Sequence, residues 1–179
     1  MKIVILTGSP HKNGTSNTLV DEFIKGASEK GHLIKRYDTA FLDIHPCIGC
    51  DHFGMNGTCA FNDDMIEILD NILASDLIVF ATPIYYYEMC GQMKTLLDRM
   101  NPLYTSEYAF RDIYLLTTAA ENDESAMDGA VKGMQGWIDC FEQARLAGVI
   151  RGVGISDAGT AKEHTALLQE VYTMVASIS

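Results

Sequence analysis

Short apolar segments that alternate with segments of helical spacing constrain this chain more than any other feature. Five segments are predicted as strands, at residues 2–6, 32–37, 77–81, 112–117 and 149–155. Most of them are apolar along their whole length, as strands are when helices cover both faces of a parallel sheet. We therefore predict an α/β fold, in which right-handed crossovers place helices on both faces of a five-stranded parallel sheet.

The helices are predicted from apolar residues three and four positions apart, at residues 16–30, 63–74, 91–100, 127–147 and 160–178. Gly31 is expected to end the first helix and Gly148 the fourth, since glycine commonly follows the last helical residue. A long loop is expected at residues 41–62. In such a sheet the ligand binds beyond the carboxyl ends of the strands. The loops after the first, third and fourth strands should therefore lie at one edge.

The loop after the first strand has the composition of an anion site. Residues 7–15 are mostly glycine, hydroxyl and amide residues, with no acidic side chain, and a helix follows. The first N–H groups of a helix have no partner within it, and the helix dipole adds positive charge there. We interpret the segment as a cradle for one phosphate group. It is neither a Walker A loop nor a G-x-G-x-x-G loop, and a polar turn with a Ser or Thr helix cap is the alternative.

Three consecutive tyrosines follow the third strand. Tyr85, Tyr86 and Tyr87 belong to the same predicted edge as the phosphate loop. Their rings offer flat apolar faces with polar tips, whereas tyrosine hydroxyls buried in a core would each need a partner. This pattern favours a planar aromatic ligand. The alternative is a half-exposed apolar cluster at a dimer contact.

Composition excludes several classes of partner. The chain has 179 residues, which suits one domain over residues 1–179, and its formal net charge of -11 argues against nucleic acid. No apolar run reaches the roughly 20 residues that span a bilayer, and no secretory signal is expected. The five cysteines fit reduced thiols in the cytoplasm better than a disulfide framework. Cys90 and Cys140 are expected in the core.

Three blocks of sequence point together to one family. They are Gly8-Ser9-Pro10 with Lys12, Asn13, Gly14, Asn17 and Thr18; Thr82-Pro83-Ile84-Tyr85-Tyr86 with Gly91-Gln92, Lys94 and Asp98-Arg99; and Cys47-Ile48-Gly49-Cys50 with Cys59 and Asp63-Asp64-Met65. With these blocks the chain resembles the flavodoxin-like NAD(P)H-dependent FMN reductases, in particular the branch of the iron-sulfur flavoproteins. The resemblance implies a three-layer α/β/α sandwich with strand order 2-1-3-4-5.

The resemblance also implies a bound FMN and indicates which residues would contact its phosphate, its ribityl chain and its ring. The phosphate would be held by Ser9, His11, Ser16, Asn17 and Thr18. The ring and the ribityl chain would be bordered by Pro83, Ile84, Tyr85 and Tyr86, with Thr118, Ala119 and Ala120 approaching the ring. His11 stands where many members of the family carry arginine, so a fixed positive charge is missing at that position.

The cysteine loop departs from the pattern of the iron-sulfur branch. Those relatives place a cysteine three residues after the second one, where this chain has Phe53. A cubane cluster usually takes four thiolates, so Cys47, Cys50 and Cys59 are weak candidates for metal ligands. His45 or His52 could complete a zinc site with them. We interpret the loop as an incomplete cluster motif that holds reduced thiols and packs over the flavin or against a partner subunit.

The resemblance implies an oxidoreductase that takes electrons from NADH or NADPH and passes them to a small acceptor, such as a quinone, a free flavin or a nitroaromatic compound. No catalytic side chain is predicted, since the chemistry would take place on the flavin. A homodimer or homotetramer is expected. The alternatives are an acidic electron carrier that docks to larger redox partners and an interaction module that keeps only the fold.

Overall fold

A computed structural model of the protein describes residues 1–53 and 58–178. The strands are β1 (Lys2–Thr7), β2 (Leu33–Asp38), β3 (Leu77–Tyr85), β4 (Glu88–Met89), β5 (Asp112–Thr118) and β6 (Arg145–Gly152). The helices are α1 (Thr15–Glu29), α2 (Met65–Leu73), α3 (Gly91–Asp98), α4 (Asp128–Ile138), α5 (Ala158–Glu163) and α6 (Thr165–Ala176). Single turns of 3-10 helix occur at Thr39–Phe41, Asn101–Thr105 and Glu124–Met127.

The parallel sheet has the strand order β2-β1-β3-β5-β6, and β4 pairs antiparallel with the end of β3. Because β4 is a two-residue strand outside this path, the order confirms the prediction of five parallel strands in order 2-1-3-4-5. The register pairs Thr7 of β1 with Ala81 of β3, and Pro83 of β3 with Thr118 of β5. The loops after these three strands therefore start close together at one edge of the sheet.

Two apolar layers, one on each face of the sheet, explain why the central strands β1 and β3 are apolar on both sides. In β1, Val4 and Leu6 point to the face covered by α2, α3 and α4. Ile3 and Ile5 point to the opposite face, which α1 and α6 cover. All four side chains are buried, as expected for a strand whose successive residues face opposite layers. The three-layer arrangement is therefore confirmed.

The fourth predicted helix is too long. It was expected at residues 127–147, but α4 ends at Ile138, and residues from Arg145 onward form β6. Gly148 lies inside β6, where it pairs with Tyr114 of β5. A Cβ atom at this position would lie 2.8 Å from the side chain of Met174 and 3.0 Å from the ring of Tyr114. Gly148 therefore allows close packing and does not end a helix.

Three smaller differences concern the ends of the chain's elements and one cysteine. The last predicted helix is divided into α5 and α6 at His164, whose φ of -75° and ψ of 64° are not helical. Strand β3 continues beyond Ala81 to Tyr85 and turns back through β4. Cys140 is exposed, against the expectation of a core position, whereas Cys90 is buried as predicted.

Within residues 1–53 and 58–178, no helix combines the length and the apolar character that a transmembrane helix needs.

Candidate functional site

An open cavity of about 730 Å³ lies at the carboxyl edge of the parallel sheet. Its walls come from the loops after β1, β2, β3, β5 and β6, as expected for a ligand site in a sheet of this class. The residues that line it are Ser9, Pro10, His11, Lys12, Asn13, Gly14, Thr15, Phe41, Pro83, Ile84, Tyr85, Thr118, Ala120, Ile155, Ser156, Asp157 and Ala158.

The loop after β1 is folded around one carbonyl group. The carbonyl oxygen of His11 accepts hydrogen bonds from the backbone N–H of Gly14 at 2.9 Å and from Nδ2 of Asn17 at 2.9 Å. It also accepts one from Oγ of Ser9 at 3.2 Å. The same amide of Asn17 donates to the carbonyl of Lys12 at 3.1 Å. Local hydrogen bonds therefore fix the shape of the loop.

The N-terminus of α1 is open where the cavity meets it. Gly14 is the N-cap residue, so no side chain caps the helix, and its first turn holds no acidic residue. A Cβ atom at Gly14 would collide with Oγ of Ser9 and would lie 3.0 Å from the carbonyl oxygen of His11. Oγ of Ser16 is buried and has no hydrogen-bond partner among residues 1–53 and 58–178. These groups fit a phosphate, which would accept hydrogen bonds from the helix N-terminus.

Positive charge at this end of the cavity comes from a lysine. Lys12 lines the cavity, and its Nζ atom lies 5.2 Å from the centre of the Phe41 ring, which also lines the cavity. His11 is exposed and adds positive charge only when its ring is protonated. Lys12 therefore supplies positive charge at this end of the cavity.

The loop after β3 forms an apolar wall of the cavity. Pro83, Ile84 and Tyr85 line it, and Tyr85 remains 44% exposed. Burial of its hydroxyl and a smaller effect of Cys90 raise the pKa of Tyr85, so the phenol is an O–H donor at neutral pH. This wall offers flat apolar surface together with one polar tip.

A hydroxyl pair links the phosphate loop to the loop after β5. Oγ1 of Thr15 and Oγ1 of Thr118 lie 2.7 Å apart, and both residues line the cavity. Ala120 also lines it. The backbone of Ala119 faces the protein interior, because its N–H donates to the carbonyl of Gly152 and its own carbonyl accepts from Ile155, each at 2.8 Å.

Residues 1–138 match the family described as NADPH-dependent FMN reductase. The chain belongs to the NADPH-dependent FMN reductase family. The family recognised from the three sequence blocks is therefore confirmed.

Curated relatives agree with membership of the FMN reductase family. The chain is 34% identical over 103 residues to an iron-sulfur flavoprotein of Methanocaldococcus jannaschii, an alignment that covers 58% of this chain and 53% of that protein. It is 23% identical over 181 residues to a Bacillus subtilis protein provisionally named an NAD(P)H-dependent FMN-containing oxidoreductase, with 93% of each covered. The chain spans about half the length of the iron-sulfur flavoproteins that it matches.

The fold of this FMN reductase family member has solved counterparts. An NAD(P)H:quinone oxidoreductase from Methanothermobacter marburgensis superposes with a TM-score of 0.72 at 15% identity. The superposition covers 98% of this chain and 95% of that chain. Strand order and helix layers are thus those of a flavodoxin-like protein.

The structure brings together seven of the twelve residues predicted to bind the cofactor, since Ser9, His11, Pro83, Ile84, Tyr85, Thr118 and Ala120 line the cavity. Ser16, Asn17 and Thr18 belong to the first turn of α1 directly behind the loop. The Thr18 hydroxyl donates back to the carbonyl of Gly14 at 3.4 Å. Tyr86 points away from the cavity and is 99% exposed.

Tyr86 and Tyr87 form the two-residue turn between β3 and β4. Their φ angles are 51° and 64°, so both lie in the left-handed region that favours glycine and asparagine. Residues of other types are strained there by roughly 1–3 kcal/mol each. On the neighbouring helix, a Cβ atom at Gly129 would collide with the carbonyl oxygen of Tyr87. The close approach of α4 thus fixes the backbone of the turn.

Sequence reasoning missed two parts of the cavity wall. Phe41 comes from the loop after β2, and residues 155–158 come from the loop after β6. The rule that ligands bind at the carboxyl ends of strands could have identified both loops. Within the second loop, Asp157 accepts hydrogen bonds from the N–H and the hydroxyl of Thr160 at 2.9 and 2.8 Å. These bonds lower the pKa of Asp157, so this wall is anionic.

The cysteine loop is anchored outside the cavity by a buried ion pair. Arg99 donates to both carboxylate oxygens of Asp63 at 2.6 and 2.8 Å and to the carbonyl of His45 at 2.6 Å. The ring of His45 stacks on Phe61 at 5.0 Å. In the part of the chain that the structure describes, no three His, Cys, Asp or Glu side chains are arranged to hold a metal ion.

Proposed function

We propose that the chain binds FMN in the cavity at the carboxyl edge of the sheet and transfers electrons from NADPH or NADH to a small acceptor. The observation that carries this proposal is the N-terminus of α1, which no side chain caps and where the buried hydroxyl of Ser16 lacks a partner among the residues that the structure describes. Membership of the FMN reductase family supports the choice of ligand.

Different residues would bind the phosphate and the flavin ring. The N–H groups at the start of α1, together with the hydroxyls of Ser9 and Ser16, would hold the phosphate, and Lys12 would balance its charge. Pro83, Ile84 and Tyr85 would supply the apolar wall for the flavin ring. The hydrogen bonds to the carbonyl of His11 would fix the loop around the phosphate.

Bound FMN would accept hydride from the nicotinamide and supply the redox chemistry. The protein would provide position and exclude water. The hydroxyl pair of Thr15 and Thr118 lies beside the apolar wall and provides donors on the side of the loop after β5. No acid or base from the chain is needed in this scheme, and we propose none.

We propose a quinone, a free flavin or a nitroaromatic compound as the acceptor. The fold shared with the Methanothermobacter NAD(P)H:quinone oxidoreductase supports the quinone. The apolar wall at Pro83–Tyr85 also suits a planar acceptor.

We further propose that residues 1–179 act as one FMN-binding domain and that copies associate as a homodimer or homotetramer in the cytoplasm. The exposed tyrosines of the β3–β4 turn support association. The five unpaired cysteines suit a reducing compartment.

The proposal is tested by removing the hydroxyl of Ser16. We expect Ser16→Ala to raise the Kd of FMN about tenfold, the effect of losing one hydrogen bond of about 1.4 kcal/mol to a charged group. The free energy of unfolding without FMN should change by less than about 0.5 kcal/mol, since the hydroxyl has no partner to lose within the described residues. Titration calorimetry and urea unfolding measure the two quantities.

Ser28→Ala is the matched control, because Ser28 is exposed near the other end of the same helix. It should leave the Kd of FMN unchanged. The proposal would be wrong if the unaltered chain took up no FMN in the calorimeter, or if the two variants bound FMN equally well.

A further inference from the structure

A buried cysteine is hydrogen-bonded to both of the strand ends to which the proposed function assigns the phosphate and the flavin ring. Cys90 lies between β4 and α3, and its side chain is fully buried. Its thiol donates to the carbonyl oxygen of Gly8, with Sγ and O 3.0 Å apart. Its backbone N–H donates to Oγ1 of Thr82 at 3.0 Å. Cys90 thus connects the first residue after β1 to the last part of β3.

The two residues bonded to Cys90 are the immediate neighbours of cavity residues. Gly8 precedes Ser9, whose hydroxyl is proposed to bind the phosphate, and Thr82 precedes Pro83, where the apolar wall begins. Gly8 and Thr82 are themselves buried, and Cys90 does not line the cavity. A displacement of Gly8 or of Thr82 would therefore move one part of the cavity wall relative to the other.

The contact between Cys90 and Gly8 leaves no free space between them. A Cβ atom at Gly8 would lie 2.7 Å from Sγ of Cys90 and 2.9 Å from Cβ of Met93 in α3. The N–H of Gly8 donates to the carbonyl of Ala81 at 2.9 Å, so the N–H and the carbonyl of Gly8 are both fixed. Because closely packed interiors transmit the displacement of one group to the next, the start of the phosphate loop follows the position of Cys90.

The hydroxyl of Thr82 forms the other half of the connection. Its Oγ1 atom accepts the N–H of Cys90, lies 3.4 Å from Sγ of Cys90 and donates to the carbonyl of Pro83 at 2.8 Å. A buried hydroxyl needs such partners. One hydroxyl group thus joins Cys90 to the first residue of the apolar wall.

We propose that Cys90 is a positioning residue, which sets the separation between the phosphate subsite at Ser9 and the ring subsite at Pro83; this inference rests on the proposed FMN site. FMN carries its phosphate and its ring on one ribityl chain. Both subsites therefore contribute fully to its affinity only when their separation matches the length of that chain. The thiol acts through Gly8 and Thr82, to which it is held by the hydrogen bonds described above.

The test compares FMN with riboflavin, which has the same ring and ribityl chain but no phosphate. Titration of the full chain, followed by the change in flavin fluorescence, gives a Kd for each flavin. The Kd of riboflavin divided by that of FMN measures what the phosphate adds to binding.

Cys90→Ala removes the S–H donor and should reduce this ratio. We expect the Kd of FMN to rise about tenfold, the effect of one lost hydrogen bond. The Kd of riboflavin should stay within about twofold of that of the unaltered chain, because the ring subsite by itself is kept. A role of Cys90 confined to packing would instead weaken the binding of both flavins by the same factor.

Three further variants complete the comparison. Cys90→Ser keeps a donor for the carbonyl of Gly8 and should bind FMN within about threefold of the unaltered chain. Thr82→Val removes the hydroxyl that joins Cys90 to the apolar wall and should also lower the ratio about tenfold. Cys140→Ala is the control, since Cys140 is an exposed cysteine, and it should change neither Kd. Circular dichroism shows whether each variant is folded, and Thr82→Val stands as the test if Cys90→Ala is not.

Three results would overturn the positioning role and leave the proposed function standing. One is a ratio of the two Kd values that is the same in Cys90→Ala as in an unaltered chain that binds FMN. Another is a Cys90→Ser chain that binds FMN as weakly as Cys90→Ala, because the hydrogen bond would then not be the cause. The third is an unaltered chain that binds FMN but not riboflavin, since the ring subsite would then hold nothing by itself. An unaltered chain that binds neither flavin would reject the proposed function and this inference with it.

Discussion

At the scale of single residues, two neighbours at the start of α1 have different roles. Ser16 and Asn17 are both buried, and the family resemblance suggests phosphate contact for both. The hydroxyl of Ser16 lacks a partner within the described residues, whereas the amide of Asn17 donates to two carbonyls of the loop. The hydroxyl of Ser16 is therefore the group that we propose for the ligand, whereas Asn17, whose Oδ1 also lacks a partner among the described residues, holds the loop through its two donated hydrogen bonds.

We therefore expect Asn17→Ala to weaken folding as well as binding. Loss of its two hydrogen bonds should lower the free energy of unfolding by about 1–3 kcal/mol, since the amide of Asn17 joins the loop to α1. The Kd of FMN should rise along with it because the loop is no longer held. Urea unfolding without FMN measures the first effect. An Asn17→Ala chain as stable as the unaltered one would contradict this role.

The buried pair of Arg99 and Asp63 makes stability depend on pH. Burial alone would raise the pKa of Asp63, but the Arg99 guanidinium and the N–H groups of His45 and Met65 lower it from 3.8 to about 2. Because the folded-state pKa is depressed, this contribution is present above about pH 4 and is lost as the pH falls toward 2. We expect a loss of about 2 kcal/mol over that window.

Urea unfolding at several pH values checks this prediction. Asp63→Asn should lower the free energy of unfolding at neutral pH by about 3–5 kcal/mol, because Arg99 would keep a buried charge without its partner. Asp63→Asn should also lack the contribution to the free energy of unfolding that is lost between about pH 4 and pH 2. Asp98→Asn is the control, since Asp98 pairs with Lys94 on the surface and should change stability by less than about 1 kcal/mol. Equal acid sensitivity in both variants would contradict the assignment.

At the scale of elements, the β3–β4 hairpin carries strain in its turn. Tyr86 and Tyr87 both have positive φ, yet their side chains are 99% and 61% exposed, so little packing compensates for the conformation. Replacing the pair by Asn-Gly, the residues that such turns favour, should raise the free energy of unfolding by about 1–3 kcal/mol.

Urea unfolding of the double variant Tyr86→Asn/Tyr87→Gly measures the gain. The single variant Tyr104→Asn serves as control, because Tyr104 is another exposed tyrosine without a positive φ. A double variant less stable than the unaltered chain would show that the tyrosines stabilise the turn through contacts of their own.

The sequence predicts those helices and strands whose residues follow a regular pattern of burial. Strands covered on both faces are apolar throughout, so β1 and a parallel sheet could be predicted, whereas the strand order was implied by the family resemblance. The end of α4 could not, because apolar residues continue at helical spacing through residues 139–147 although the chain there enters β6. The turn at Tyr86 and Tyr87 could not be predicted either, because tyrosine rarely adopts a positive φ. The cavity loops after β1, β3 and β5 followed from topology, but the loops after β2 and β6 were missed, and the hydrogen-bond partners of Ser16 and Asn17 required coordinates.

At the scale of the whole molecule, the net charge of -11 bears on the proposed co-substrate. NADPH is a polyanion, so long-range repulsion should slow its approach, and salt should screen that repulsion within a Debye length of about 10 Å at 0.1 M. We expect the KM for NADPH to fall severalfold, by about two- to tenfold, between low and near-physiological ionic strength. An uncharged quinone should show no such change.

Steady-state kinetics at several salt concentrations, with the viscosity and pH held constant, test this. A KM for NADPH that rises with salt would mean that local attraction, for example by Lys12 in the cavity, outweighs the charge of the whole chain. The same series run with NADH, which lacks the 2′-phosphate, should show a smaller dependence.

Arg99 donates hydrogen bonds to both His45 and Asp63, and this arrangement has a consequence for protein engineering. The side chain of Arg99 holds the two residues that flank the stretch from residue 46 to residue 62. A change in the length of this stretch should therefore have little effect on the rest of the structure. Doubling the length of a closed loop costs only about 0.6 kcal/mol in entropy. The stretch is therefore a natural acceptor for grafted peptides, and a foreign epitope placed there should be displayed without loss of the surrounding architecture.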